Sequence, residues 1–138
     1  MDMVNKIYIS WEEIEELVDE LCERIQEHLF YTDDMYTSIH GLSRGGLIPA
    51  VMISHKLNIR YTDKPQRITN LDEECLIIDD IANSGKTLKE WDGYPTAVLH
   101  YKSHTSRCIP KMHAVEQTTD DWIVYPWERA WIPKRYKI

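Results

Sequence analysis

ECLIIDDIANSGKTLKE, residues Glu74 to Glu90, sets four apolar residues ahead of two adjacent carboxylates and a run of small and polar residues. The apolar run predicts a buried strand over Cys75 to Ile78, the residues Asp79 to Ser84 a turn, and Gly85 onward the start of a helix. Backbone N–H groups at a helix start have no intrahelical partner, and the peptide dipoles there favour negative charge. Ser84, Gly85, Lys86 and Thr87 are therefore placed to wrap a phosphate. Asp79 and Asp80 would repel that phosphate if aimed at it, so they face hydroxyl groups or a metal nearby. One anion site beside two acceptors points to a ribose 5-phosphate.

A nucleotide-hydrolysing P-loop is the competing reading, because Gly85, Lys86 and Thr87 spell the end of that motif. The motif also needs a glycine five positions earlier, where this chain has Asp80. A plain strand-to-helix turn with solvated carboxylates is the other reading. It suffices for Asp80 alone and not for the whole constellation.

Working outward, the 138 residues and 43% hydrophobic content predict one domain spanning 1–138 with a real core. No segment is apolar for long enough to span a bilayer, and Met1 to Tyr8 lacks the pattern of a signal peptide, so the expected location is the cytoplasm. Cys22, Cys75 and Cys108 are widely spaced, without a metal-ligand pattern, and the first two fall on apolar faces as small core residues. A net charge of -7 argues against a general nucleic-acid binder.

Helices and strands alternate along the chain. Ser10 and Glu13 spell a capping box, Ile9 and Ile14 a hydrophobic staple, and Trp11, Ile14, Leu17, Val18, Leu21, Ile25 and Leu29 keep helical spacing. Strands are predicted at Tyr36 to Gly41, Ile59 to Tyr61 and Thr96 to Tyr101, the last after an Asp92 to Pro95 turn. A helix is predicted over Leu47 to Leu57, with Pro49 in its first turn. This order implies an α/β fold with a mostly parallel sheet covered on both faces. Ligands in such sheets sit beyond the carboxyl ends of the strands. The loop Ser43, Arg44, Gly45, Gly46 falls at one such end, with glycines that allow close approach to an anion and an arginine fork suited to phosphate oxygens.

Leu76 to Thr87 resembles the phosphoribosyl diphosphate signature of the type I phosphoribosyltransferases. Leu42 to Ala50, LSRGGLIPA, is similar to the pyrophosphate loop of the xanthine-guanine and hypoxanthine branch, and Asp121 to Glu128, DWIVYPWE, to its purine-stacking segment. The resemblance implies a phosphoribosyltransferase-like fold with a short hood, and a non-proline cis peptide between Ser43 and Arg44. It implies that a nucleobase, most naturally a 6-oxopurine, displaces pyrophosphate from phosphoribosyl diphosphate. Asp79, Asp80 and Asn83 would be catalytic. Ser43, Arg44, Gly45 and Gly46 would hold the pyrophosphate. Asp79, Asp80, Ala82, Asn83, Ser84, Gly85, Lys86 and Thr87 would hold the phosphoribosyl group. Lys102, Trp122 and Ile123 would bind the base, with Lys102 on the 6-oxo group and Trp122 stacked on the ring. Mg²⁺ is the implied cofactor, with Asp80 toward the metal. The implied partners are small molecules, with neither nucleic acid nor membrane, in a homodimer or homotetramer. Trp127 and Trp131, flanked by Pro126 and Pro133, read as structural or interfacial.

The chain departs from the family pattern twice. Asn83 stands where purine enzymes carry an aspartate for the N7 proton, and an amide is no general base near neutral pH. The hood segment, Thr62 to Glu73, is short, leaving Lys64, Gln66 and Arg67 for partial closure. Both departures suit an alternative class, a non-catalytic binder of phosphoribosyl diphosphate or a nucleotide. A structural domain with a relict site is a weaker third.

Overall fold

The apolar run through Leu76 becomes the central strand of a parallel sheet. The structure is a computed structural model and describes residues 4–65 and 73–136. Its elements are β1 (Lys6–Tyr8), α1 (Trp11–Tyr31), β2 (Met35–Gly41), α2 (Leu47–Leu57), β3 (Arg60–Tyr61), β4 (Glu73–Ala82), α3 (Lys86–Lys89), β5 (Thr96–Tyr101), β6 (Met112–Glu116) and β7 (Trp122–Val124). Short 3-10 turns follow at Pro126–Glu128 and Lys134–Tyr136. The main sheet has the order β3-β2-β4-β5-β6 with every pair parallel, and β1 pairs with β7 in a separate parallel ribbon.

Both faces of β4 are buried, which is why its sequence is a continuous apolar run rather than an alternation. Leu76 and Ile78 point to the face covered by α1 and α2, where Ile14, Val18, Leu21, Ile25, Ile39, Ala50 and Ile53 complete the larger core. Cys75 and Ile77 point the other way, into a smaller cluster with Leu42, Ala82, Leu88 and Val98, flanked by Trp91 and Tyr94. Helix α1 starts as its sequence dictates. The Ser10 hydroxyl accepts from Glu13 N–H at 3.1 Å, and the Glu13 carboxylate accepts from Ser10 N–H at 3.3 Å. Losing such a cap costs about 1 kcal/mol. Cys22 and Cys75 are buried core thiols. Among the described residues no helix is long and apolar enough to cross a membrane.

Three expectations need correction. The strand containing Cys75 to Ile78 does not stop before the carboxylates but runs on to Ala82, because β5 extends alongside and pairs Asp79 with Val98, Ile81 with His100 and Ala82 with Tyr101. The turn is thereby confined to Asn83, Ser84 and Gly85. The helix after it is a single turn, Lys86–Lys89, ended by the turn around Gly93, whose φ is 94°. One turn sums few peptide dipoles, so the electrostatic help expected from a helix start is small there. Strands β1, β6 and β7 carry weak patterns and were not foreseen. Most of the hood segment, with Gln66 and Arg67, lies outside the described residues.

The strand order reverses beside β2. From β2 the chain moves outward to β3, then returns on the other side to β4, β5 and β6. Such a switch point opens a crevice at the carboxyl ends of the two strands that part there, here β2 and β4. Those ends carry Leu42 to Gly46 and Asp79 to Thr87.

Candidate active site

The crevice has two lobes that share Asp80. The first, about 220 Å³, is lined by Asp79 through Leu88. Its wall is a turn whose carbonyls are tied down from behind by the loop after β5. The Ala82 carbonyl accepts from Lys102 N–H at 3.0 Å, Asn83 from the Thr105 hydroxyl at 2.7 Å, and Ser84 from Arg107 N–H at 2.9 Å. With the carbonyls held back, the N–H groups of Ser84, Gly85 and Thr87 have no bonding partner among the described residues. That arrangement is a cup for an anion. Gly85 is required at its apex. Its φ of 79° is left-handed, and a side chain there would meet Cys108 N at 2.5 Å and Ser106 Oγ at 2.7 Å.

The loop Ser43 to Gly46 faces this lobe. The peptide between Ser43 and Arg44 is cis, as the resemblance implied. Gly46 plays a different part from the one expected of it. Its N–H is already given to the Leu42 carbonyl at 2.8 Å, and a side chain there would collide with the Ile78 carbonyl and Leu42, so this glycine serves close packing against β4. The N–H groups of Arg44 and Gly45 have no such internal partner among the described residues. Gly45 lies directly on the Asp80 carboxylate, which occupies the space a β-carbon would need.

Asp79 and Asp80 are partly buried side by side. Asp79 Oδ1 accepts from Asp80 N–H at 2.9 Å, and Asp80 Oδ1 from Ile81 N–H at 2.8 Å. Burial and then the neighbouring Asp80 charge push the Asp79 carboxyl well above the usual carboxylate range, while Asp80 is raised by burial against the opposing pull of its hydrogen bonds. Both carboxyls are thus pushed toward the neutral form, Asp79 by burial and by the like charge beside it and Asp80 by burial. Among the described residues no three His, Cys, Asp or Glu side chains converge on a metal. Two carboxylates do fit a hard cation that keeps several waters and takes its remaining oxygens from a ligand.

The second lobe is a cleft of about 50 Å³ lined by Asp80, Ile81, Asn83, Lys102, Trp122, Ile123, Tyr125 and Glu128. It is smaller than the few hundred Å³ that encloses a whole ligand. Lys102 follows the last residue of β5 and is only 4% exposed, unlike an ordinary solvated lysine. Trp122 is 50% exposed. It is anchored through its backbone, whose N–H is given to the Asn5 carbonyl at 2.7 Å, while β1 pairs along β7. The ribbon has two strands, so among the described residues the far edge of β7 is unpaired. Behind the cleft, Trp127 stacks on Tyr125 with ring centres 5.0 Å apart and tilts against Trp11. It is structural, whereas Trp131 stands exposed.

The structure brings Asp79, Asp80, Ala82, Asn83, Ser84, Gly85, Lys86 and Thr87 into one lobe and Lys102, Trp122 and Ile123 into the other, with Asn83 and Asp80 in both. Sequence reasoning missed Thr105 and Arg107, which brace the cup, and Tyr125 and His100, which lie behind the carboxylates. A hydroxyl or histidine inside a strand or loop carries no local signal of such a contact.

No family model matches the chain. It is 28% identical to the xanthine-guanine phosphoribosyltransferase of Idiomarina loihiensis, over 89% of this chain and 87% of that protein. Against the Vibrio vulnificus protein of the same name the identity is 27%, over 93% and 92%. Among solved structures, the purine phosphoribosyltransferase of Pyrococcus horikoshii superposes with a TM-score of 0.72 at 26% identity, covering 94% of this chain and 98% of that one. The Helicobacter pylori xanthine-guanine-hypoxanthine phosphoribosyltransferase shares the fold at a TM-score of 0.72 and 16% identity, covering 91% and 94%.

Proposed function

We propose that this chain, a phosphoribosyltransferase by sequence likeness and by fold, transfers the 5-phosphoribosyl group of phosphoribosyl diphosphate to a 6-oxopurine and releases pyrophosphate, in purine salvage. The observation that carries the reading is the shared position of Asp80. It lies between an anion cup on one side and a cleft with a half-exposed tryptophan and a buried lysine on the other. A ligand that fills both lobes has a phosphate, a pair of sugar hydroxyls and a planar base in that order.

In this reading the free N–H groups of Ser84, Gly85 and Thr87 bind the 5-phosphate. Asp79 and Asp80 accept from the ribose hydroxyls. Arg44 and the Gly45 N–H hold the pyrophosphate as its charge grows. The bond from carbon 1 to the pyrophosphate oxygen breaks as a ring nitrogen of the base attacks, and the sugar passes through an oxocarbenium-like state. The anionic Asp80 beside it stabilises that positive charge electrostatically. On the base side, Trp122 stacks on the ring, Lys102 donates to the 6-oxo group, and the free edge of β7 at Ile123 meets the ring's hydrogen-bonding groups. Asn83 can hydrogen-bond the base but cannot take its proton. Mg²⁺, when bound at Asp80, would neutralise the leaving pyrophosphate. Family likeness further implies an assembly of two or four copies and a cytoplasmic setting.

The test is product analysis after incubation with Mg²⁺, phosphoribosyl diphosphate and, separately, guanine, xanthine, hypoxanthine, adenine, uracil and orotate. Formation of the guanine, xanthine or hypoxanthine nucleotide is expected. Calorimetric binding of phosphoribosyl diphosphate without any product would instead make the chain a non-catalytic binder.

A further inference from the structure

Behind the carboxylates a buried chain of hydrogen bonds runs through groups that the substrate contacts above do not use. Tyr125 is 1% exposed, and its hydroxyl lies 3.1 Å from the Asp80 carbonyl oxygen and 2.7 Å from His100 Nδ1. A carbonyl can only accept, and a phenol has one proton to give. With both contacts made, the Tyr125 proton goes to Asp80, and His100 Nδ1 carries the hydrogen that it donates to the Tyr125 oxygen. Burial holds the imidazole neutral, with a pKa near 4, so this tautomer persists at neutral pH. Tyr125 is held from its other sides as well. Its ring lies flat on Trp127, and its N–H is given to Glu128 Oε1 at 2.8 Å.

The place being held is unusual. Strand β4 outruns β2, whose last partner is Ile78, so beyond that point the main sheet flanks Asp80 only through β5. Tyr125 follows directly on β7, the wall of the base cleft, and its hydroxyl supplies the missing anchor. We infer that Tyr125, oriented by His100, is a positioning residue for the transfer reaction: it fixes the Asp80 peptide and thereby sets the distance between the sugar acceptors and the base wall. The inference rests on the phosphoribosyltransferase reading and gives it a specific second layer, since neither side chain touches the reacting atoms.

The deciding experiment is a double-mutant cycle in the full chain, combining Tyr125→Phe with Asp80→Asn and following steady-state kinetics with guanine and phosphoribosyl diphosphate. Tyr125→Phe leaves the Asp80 carbonyl and the His100 N–H without their partner. It is expected to lower kcat about tenfold while the KM for phosphoribosyl diphosphate stays within about twofold. In the Asp80→Asn background the same change should cost less than about twofold, because a residue acting through Asp80 has nothing left to position. A merely structural tyrosine would give the same loss in both backgrounds, and that additivity, or an unchanged kcat, overturns the inference. If Tyr125→Phe does not fold, His100→Leu takes its place. It should lower kcat about threefold, with recovery in His100→Gln, which keeps an N–H donor, and equal rates in all three proteins would be the contrary result. Absence of nucleotide product from the unsubstituted protein counts against the phosphoribosyltransferase reading alone. The cycle is then read in calorimetric affinities for guanosine monophosphate, which spans both lobes. Tyr125→Phe should weaken it about tenfold in the native background and less than about twofold beside Asp80→Asn, and equal losses overturn the inference. A protein that binds neither this nucleotide nor phosphoribosyl diphosphate defeats both readings.

Discussion

The two lobes of the crevice are built in opposite ways. The lobe proposed for phosphate is one continuous segment, Asp79 to Leu88, folded back on itself and braced from behind by Thr105 and Arg107. The lobe proposed for the base is assembled from the end of β4, the residue after β5, and a ribbon that pairs Lys6 with Trp122 and Tyr8 with Val124. A contiguous site is specified by local conformation, so a single residue can destroy it. A distributed site is specified by packing, and each member carries only a share. Asp80 belongs to both and is held accordingly, by Gly45 on one side and Tyr125 on another.

The sharpest way to test this contrast is Gly85→Val. The left-handed φ and the backbone of Cys108 leave no room for a side chain, so phosphoribosyl diphosphate binding should weaken on the order of a hundredfold, measured by calorimetry. A loss under about threefold would mean that the cup is not specified locally. Next in size is Asp79→Asn, for which turnover should fall at least about tenfold while the thermal midpoint at neutral pH rises by a few degrees. The sign follows from the raised carboxyl. A group whose folded pKa lies above its unfolded value stabilises most below the ordinary 3.8, and that contribution is lost as pH rises. The asparagine protein should therefore gain most over the native one at high pH, and the gap should close in melts run toward pH 4. An unchanged gap across that range would contradict a raised Asp79 carboxyl.

Trp122→Ala addresses the other lobe. Stacking on an aromatic contributes roughly 1–3 kcal/mol per base, so the KM for guanine should rise about tenfold with phosphoribosyl diphosphate affinity unaltered. Parallel losses for both ligands would show that the lobes are not separable. The smallest effect is expected from Asn83→Asp, which restores a proton acceptor at the junction and should raise the rate with guanine by about two- to threefold. A flat pH–rate comparison between the two proteins would remove position 83 from the proton path.

The same contrast explains what could be read in advance. The phosphate lobe was legible because its chemistry and its conformation sit in one short stretch: the carboxylates, the glycine and the threonine are neighbours in sequence. Even there the boundary was misplaced, since whether Asp79 and Asp80 end a strand or continue it depends on how far β5 reaches beside them. Helix α1 was legible from its cap and its spacing, whereas β1 was not, because its three residues are exposed and owe their conformation to β7. Gly46 was assigned an N–H for a ligand that its own loop already uses. Tyr125 and His100 gave no signal, as they meet each other and Asp80 only after the sheet is assembled.

The pairing of β1 with β7 also fixes an order of events. The cup needs the chain only as far as the loop that follows β5, while the opposite wall joins residues 6–8 to residues 122–124 and closes a loop across nearly the whole described chain. Loop-closure entropy falls most heavily on that last contact, and synthesis delivers its second half late. In synthesis, then, every residue of the cup is made before the second half of that wall.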